Sequence, residues 1–124
     1  MLYRLSEQNG TMNEKKLTIS GLYDYYGALL SEKQKFAVEM YYNDDLSLSE
    51  IAESIGITRQ GVRDQLKHAE QFLENCERLL GFAAKSRGAQ ALCDELLRIC
   101  DENDTLSAVQ VRSFAAQISE LVTG

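Results

Sequence analysis

The fold is decided by the stretch Ser47–Lys67, which reads SLSEIAESIGITRQGVRDQLK. It contains two amphipathic segments on either side of Gly56, where the missing Cβ permits the left-handed backbone of a tight turn. The spacing predicts a short helix over residues 48–55 and a second helix that begins after Thr58, which would be its N-cap. Two helices joined by such a turn form a helix-turn-helix.

Individual residues within this stretch support that interpretation. Ser47, with Glu50 three residues later, has the pattern of a capping box, which satisfies free backbone N–H groups at the start of a helix. Ala52 is small where the two helices would cross, and Val62 would fill the angle between them. Three further apolar residues would complete this small core, namely Ile51, Ile57 and Leu66. The number of fitted positions makes the motif specific.

The exposed face of the second helix is the candidate nucleic-acid-binding site. Its residues cluster in the N-terminal half of that helix: Thr58, Arg59, Gln60, Arg63 and Lys67. Arg and Gln can make bidentate contacts with base edges, whereas Thr and Lys suit phosphates. Free N–H groups and the helix dipole at this end also favour an anion. The alternative is an ordinary solvated face, since mixed charges on a helix usually do nothing specific.

The second helix is expected to continue until Gly81, with an apolar residue every three or four positions. These residues are Val62, Leu66, Ala69, Leu73, Cys76 and Leu80. We expect this stripe to pack on an N-terminal helix of the same chain, because fewer than three heptads rarely suffice for a free coiled coil. Pairing with a second subunit, in a homodimer, is the alternative.

Upstream of the motif, residues 1–16 are polar and are expected to form a flexible extension. A tyrosine-rich helix should follow over Leu17–Leu30, with a buried stripe at Leu22, Tyr25, Tyr26 and Leu29. Ser31 and Gln34 have the pattern of another capping box. The helix behind it should end near residues 43–45 and bury Phe36, Ala37, Met40 and Tyr41.

Downstream, a loop at residues 85–88 is expected to separate the core from two amphipathic helices, over 89–101 and 106–122. Their apolar residues are Leu92, Leu96 and Ile99, followed by Val109, Phe114, Ile118 and Leu121. The chain should therefore consist of an extension (1–16), a helix-turn-helix core (17–82) and a helical tail (83–124) that packs on the core.

Composition limits the functions that are plausible for this chain. It has 124 residues, no proline, and a net charge of −6, which opposes simple phosphate-driven binding of nucleic acid. No apolar run is long enough to cross a membrane, so membrane insertion is not expected. The three cysteines and the lack of a secretion signal favour reduced thiols and a cytoplasmic location.

We find no pattern in the sequence that indicates an enzyme, a cofactor or a metal site. His68 is the only histidine and has no cysteine at metal-ligand spacing. Cys76, Cys93 and Cys100 fall on apolar helical positions and are expected to be unreactive core thiols. The tyrosines at positions 23, 25, 26, 41 and 42 could stack on bases, but an aromatic stripe at helical spacing more often belongs to a core.

The run Leu22–Leu80 resembles the YlxM-type proteins, which are small helix-turn-helix proteins associated with the signal recognition particle of Gram-positive bacteria. The resemblance lies in two segments, LYDYYGALLSEKQ at 22–34 and the helix-turn-helix with its RQGV at 59–62. The helix-turn-helix alone is similar to the promoter-reading domain of sigma factors, so residues 22–34 decide for the YlxM type. Gly61 departs from the pattern, which expects alanine or another helix former there, and costs about 1 kcal/mol of helix stability.

This resemblance implies an all-α fold with a sigma-factor-like helix-turn-helix core, three-helical or winged-helix-like, a long recognition helix and C-terminal helices. It also implies a regulatory or accessory protein of the protein-targeting pathway. Its partners would then be the RNA of the signal recognition particle, the particle's GTPase or the receptor of that GTPase. A DNA-binding transcriptional regulator is the alternative, with Thr58–Lys67 in the major groove.

Overall fold

The computed structural model describes residues 12–124, with side chains from Lys15 onward. All regular structure in this range is helical, which confirms the all-α class. The α-helices are α1 (Met12–Tyr26), α2 (Glu32–Val38), α3 (Leu48–Ile55), α4 (Arg59–Leu80), α5 (Phe82–Glu102) and α6 (Ala108–Thr123). A 3₁₀-helix at Gly27–Leu29 follows α1, and a π-helix at Glu39–Asn43 follows α2. None of the described helices is both long enough and apolar enough to span a membrane.

The chain divides into two compact units, with the boundary in the sequence between Leu80 and Gly81. The sequence placed this boundary between residues 82 and 83. Residues 12–16, expected to belong to a flexible extension, form the first part of α1. Lys15 and Lys16 anchor that part through ion pairs with acidic residues of the same unit. The rest of the expected extension, residues 1–11, lies outside the described residues.

In the first unit, the long helix α4 packs against α1, α2 and α3. Val62, Leu66, Ala69 and Leu73 are buried along it, as the stripe predicts. The last two predicted positions are wrong: Cys76 is half-buried and Leu80 is exposed. An α-helix has 3.6 rather than 3.5 residues per turn, so the buried side drifts along a long helix.

Glu77 lies on the buried side of α4, next to Cys76, where the buried positions begin to differ from the predicted stripe. Its residue exposure is only 4%, and its Oε1 accepts a hydrogen bond of 2.6 Å from the hydroxyl of Tyr26. A buried carboxyl group needs such a partner, because leaving it without hydrogen bonds costs free energy. The bond therefore joins the end of α1 to the C-terminal part of α4.

The buried stripe of α1 is formed by Ile19, Leu22 and Tyr26, and Leu30 continues it. Two of the predicted positions are wrong, because Tyr25 and Leu29 are exposed. The 3₁₀-helix after Tyr26 has three residues per turn. This tighter winding changes which side chains face the core, so that Leu30 rather than Leu29 is buried.

The capping box predicted at the start of α2 is present, since Ser31 and Gln34 exchange backbone-to-side-chain hydrogen bonds. The buried set behind it differs from the prediction. Ala37 is buried as expected, but Phe36 is exposed, and Val38 and Tyr42 are buried. Met40 and Tyr41 are only half-buried. The π-helix that follows Val38 accounts for this, because its wider turn rotates the later side chains.

The second unit, Gly81–Gly124, is a hairpin of α5 and α6. The loop expected at residues 85–88 is wrong, because α5 is continuous through it. Gly81, with φ +62°, provides the break instead. Gly88 stays helical, and a Cβ there would lie 3.1 Å from Leu121 Cδ1, so the two helices approach closely at this point.

The predicted apolar stripes of the hairpin are only half-buried, and Val109 is 74% exposed. Within the described residues of the hairpin, Ala83 alone is buried. Cys93 is half-buried and Cys100 is exposed, so the prediction that Cys100 is a core thiol is wrong. Two helices alone cannot enclose their own apolar side chains.

Candidate nucleic-acid interface

The helix-turn-helix begins with the capping box predicted for α3. The Ser47 side chain accepts a hydrogen bond of 3.1 Å from the backbone N–H of Glu50, and the Ser47 N–H donates one of 2.9 Å to Glu50 Oε1. Hydrogen bonding to the Ser47 backbone N–H, and then to the Ser47 hydroxyl, lowers the pKa of the Glu50 carboxyl. The helix ends at Gly56, whose φ of +72° gives the predicted left-handed turn.

The two helices of the motif share the predicted small core. Ile51 and Val62 are fully buried, and Ala52 and Leu66 are nearly so. Ile57, in the turn, is half-buried. This packing holds the first turns of α4 against α3 and leaves the opposite side of α4 in solvent.

The five candidate residues all lie on the exposed surface of the N-terminal half of α4. Arg59, Arg63 and Lys67 follow one another at steps of four residues, which is one row along a helix surface. Among the residues that the structure describes, no carboxylate lies within ion-pair distance of any of these three. The row therefore presents three positive charges that no described acidic side chain neutralises directly.

The other two candidate residues already have partners within α4. Thr58 Oγ1 accepts a hydrogen bond of 2.9 Å from the backbone N–H of Gly61, which confirms Thr58 as the N-cap. Gln60 Nε2 donates a hydrogen bond of 3.0 Å to Asp64 Oδ1. The Gln60 amide must give up this bond before it can read a base edge with both of its polar atoms.

Gly61 has a structural reason in this setting. A Cβ at this position would lie 3.2 Å from Thr58 Oγ1 and 3.3 Å from Ile57 Cδ1. Both distances are tighter than ordinary contacts, so an alanine would push against the capping hydroxyl and the turn. The helix-propensity cost of glycine, about 1 kcal/mol, is therefore offset in part by an uncrowded N-cap.

Arg63 and Lys67 also line a cleft of about 590 Å³ in the first unit. Its walls include Lys15 of α1, together with Tyr41 and Leu48. Lys15 comes from the segment expected to be a flexible extension, and no pattern in the sequence connects it with Arg63. The fold adds a further amine close to the cationic row.

The cleft also contains acidic residues, and one of them, Glu70, forms an ion pair and a hydrogen bond. Its Oε1 lies 3.2 Å from Lys15 Nζ, and its Oε2 accepts a hydrogen bond from the Tyr42 hydroxyl. Burial and the hydrogen bond to Glu70 raise the pKa of Tyr42 well above its usual range. Because the charge of Glu70 is balanced by Lys15, it repels an anion at Arg63 less than a free carboxylate would.

The described residues contain no group of three or more metal-ligating side chains close enough to hold a metal ion. His68 is exposed on α4. Burial raises the pKa of Cys76, which keeps its thiol protonated. What the exposed N-terminal half of α4 offers chemically is three cationic side chains and hydrogen-bond donors, beside one carboxylate, Asp64.

Comparison with known proteins gives a consistent result. Residues 13–111 match the family UPF0122, described as "Putative helix-turn-helix protein, YlxM / p13 like". The UPF0122 protein of Desulforamulus reducens is 47% identical over 83 residues, which are 67% of this chain and 71% of that protein. The UPF0122 protein of Thermoanaerobacter sp. strain X514 is 38% identical over 115 residues, which are 89% of this chain and 98% of that protein. The UPF0122 protein of Streptococcus pneumoniae is 38% identical over 93 residues, which are 75% of this chain and 84% of that protein.

Proposed function

This chain belongs to the YlxM / p13-like family of helix-turn-helix proteins, and we propose that it is a regulatory protein that binds nucleic acid through the N-terminal half of α4. Arg59, Arg63 and Lys67 would contact phosphates and base edges, and Thr58 and Gln60 would flank them. No catalytic role is part of this proposal.

One observation carries the proposal. The cationic row of α4 has no acidic partner in the described part of the chain, although the protein is acidic as a whole. Three neighbouring cations without a carboxylate partner form a locally positive surface. They lie on the helix that a helix-turn-helix places in the major groove.

The finer proposal concerns the partner and rests on the resemblance of residues 22–34 and 47–67 to YlxM-type proteins. We infer that the protein is an accessory of the signal recognition particle pathway and that its nucleic acid is the particle's RNA. Binding of structured RNA would depend mainly on shape and phosphates, which suits a site whose Gln60 is already hydrogen-bonded. The particle's GTPase and its receptor are the protein partners that this role implies.

The experiment compares Arg59→Ala/Arg63→Ala with a control that removes the same charge, Arg87→Ala/Arg112→Ala in the hairpin. All four arginines are exposed, so both double variants should fold. Fluorescence anisotropy with a labelled duplex is measured over a series of KCl concentrations. The α4 variant should bind at least tenfold more weakly, with a salt slope reduced by about two, while the control stays close to wild type. Equal affinity of both variants and the wild type would contradict the proposal.

A competition experiment separates RNA from DNA. Signal recognition particle RNA and genomic DNA duplexes of similar length compete for the wild-type protein at about 150 mM salt. Preference for the RNA by tenfold or more supports the targeting role. The opposite preference, with one DNA sequence selected, would make the protein a transcriptional regulator and would refute the finer proposal.

A further inference from the structure

Each helix of the hairpin carries two apolar stripes, and only one of them packs against the other helix of the hairpin. The inner stripes, where α5 and α6 meet, contain Leu92 and Leu96 on α5 and Ile118 and Leu121 on α6, all half-buried. The second stripe of α5 consists of Ala89, Cys93, Leu97 and Cys100. That of α6 consists of Val111, Ala115 and Val122. Both second stripes have the steps of three, four or seven residues that are typical of helix–helix packing.

The two second stripes lie on the same side of the hairpin. At 100° per residue, each second stripe is centred about 70–75° from the inner stripe, and in the same rotational sense on both helices. The helices are antiparallel, since Gly88 near the start of α5 lies against Leu121 near the end of α6. In antiparallel helices, rotations of the same sense bring both stripes to one side. We call this side the uncharged face.

The uncharged face is open to solvent. Leu97 is 61% exposed and Val122 is 68% exposed, and Val111 is also exposed. The opposite side of the hairpin carries charge, because Arg98 lies between Glu95 and Glu102 and forms ion pairs with both. The hairpin thus has a charged side suited to water and an uncharged side that is unusual for a solvent surface.

We propose that the uncharged face is a homodimer interface, which pairs the α5–α6 hairpins of two copies as a four-helix bundle. In such a bundle each helix packs on two neighbours and needs two apolar stripes, as α5 and α6 have. None of the seven residues of the second stripes is Asp, Glu, Lys or Arg, so a second copy meets these stripes without like-charge repulsion, and they offer nothing to attract a charged partner.

The area of the uncharged face is large enough for a homodimer interface. Helix α6 is about 24 Å long and two helices side by side are about 20 Å wide, so the two copies together cover roughly 1,000 Å². A specific interface begins at about that area. This inference concerns a surface separate from α4 and does not depend on the proposed function.

The test measures the mass of the full chain by light scattering after gel filtration, at roughly 1 to 100 μM protein. The wild type should approach twice its 14.0 kDa as the concentration rises. Val111→Glu, on the uncharged face, should raise the dimer dissociation constant at least tenfold. Val109→Glu is the matched control, since it adds the same charge to the same helix at an exposed position off this face, and should leave the constant unchanged.

Helix content measured by circular dichroism accompanies each mass, so that loss of folding is not mistaken for loss of dimer. If Val111→Glu loses helix, Val122→Glu places the charge at the other end of the same face and replaces it in the test. A wild type that stays at 14.0 kDa up to 100 μM overturns the proposal. So does a folded Val111→Glu or Val122→Glu that dimerises as tightly as Val109→Glu.

Discussion

The two units of this protein are built from similar amphipathic helices, and yet they bury their apolar side chains to different extents. In the first unit, Ile51, Val62 and Leu73 are fully buried, because α1, α2 and α3 surround α4. In the hairpin, Leu92 and Leu96 are only half-buried, although they have the same helical spacing. An amphipathic pattern therefore indicates that one side of a helix packs against a partner surface. The number of neighbouring helices decides how completely the apolar side chains on that side are buried.

The difference also suits the roles that we propose for the two units. A well-packed core can hold the cationic row of α4 in one position, which recognition of nucleic acid requires. The hairpin has one buried residue in its described range, Ala83, and it exposes an uncharged face. A unit of this kind is suited to association, because the surface that it leaves open is the surface that a partner covers.

The largest expected effect is on the core of the first unit. Leu73→Ala should lower the free energy of unfolding by about 2–5 kcal/mol, because it leaves a cavity among well-packed side chains. Leu96→Ala in the hairpin, with a half-buried side chain, should cost less than about half as much. Urea unfolding followed by circular dichroism measures both. Equal losses would show that the hairpin is packed as tightly as the first unit.

The next largest effect is a loss of stability at alkaline pH. It should be confined to the first unit, since no tyrosine follows Tyr42. Burial, followed by the hydrogen bond to Glu39, raises the pKa of Tyr23 to about 12. Burial and Glu70 raise the pKa of Tyr42 as well. The folded state thus keeps protons that the unfolded state loses near pH 10, so stability is complete below pH 10 and falls as the pH rises toward 12.

Thermal unfolding between pH 8 and pH 12 measures this loss. Tyr42→Phe removes one of the titrating hydroxyls and should make the decrease in melting temperature above pH 10 smaller. Tyr25→Phe is the control, because Tyr25 is exposed. A decrease of the same size in wild type and Tyr42→Phe would mean that Tyr42 does not contribute to the alkaline transition.

The smallest expected effect is the loss of stability when one of two capping boxes of the same type is removed. Ser47 caps α3 and Ser107 caps α6, each with a reciprocal hydrogen-bonded pair. Ser47→Ala and Ser107→Ala should each cost about 1 kcal/mol. Hydrogen exchange should locate the first loss in the first unit and the second loss in the hairpin. Loss of protection in both units from either variant would show that they unfold together.

Local signals predicted most of what is local in this fold. The capping boxes at Ser31 and Ser47, the N-cap Thr58 and the turn at Gly56 are present as expected, since each depends on residues within about one helical turn. Gly81 ends α4 for the same reason. Errors arose where a glycine had a packing role instead. The sequence pattern predicts a loop at residues 85–88, but Gly88 lies within α5 against Leu121.

The candidate site was predicted to a similar extent. The exposure of Arg59, Arg63 and Lys67 follows from their positions relative to the buried Val62 and Leu66, which are close in sequence. Lys15 beside the same cleft could not be predicted, because it is brought there by the packing of α1 on α4. Helix periodicity carries no information about contacts between distant segments.

Near neighbours along the chain are enough to predict the helices, their caps and the helix-turn-helix, because hydrogen bonds between residues close in sequence stabilise these features. The tertiary structure decided which side of each helix is buried. The 3₁₀- and π-turns changed the rotation of the chain, so that Leu30 and Tyr42 are buried rather than Leu29 and Tyr41. Burial depends on the helices that arrive from elsewhere in the chain, and a one-residue shift of 100° is enough to move a side chain from the core to solvent.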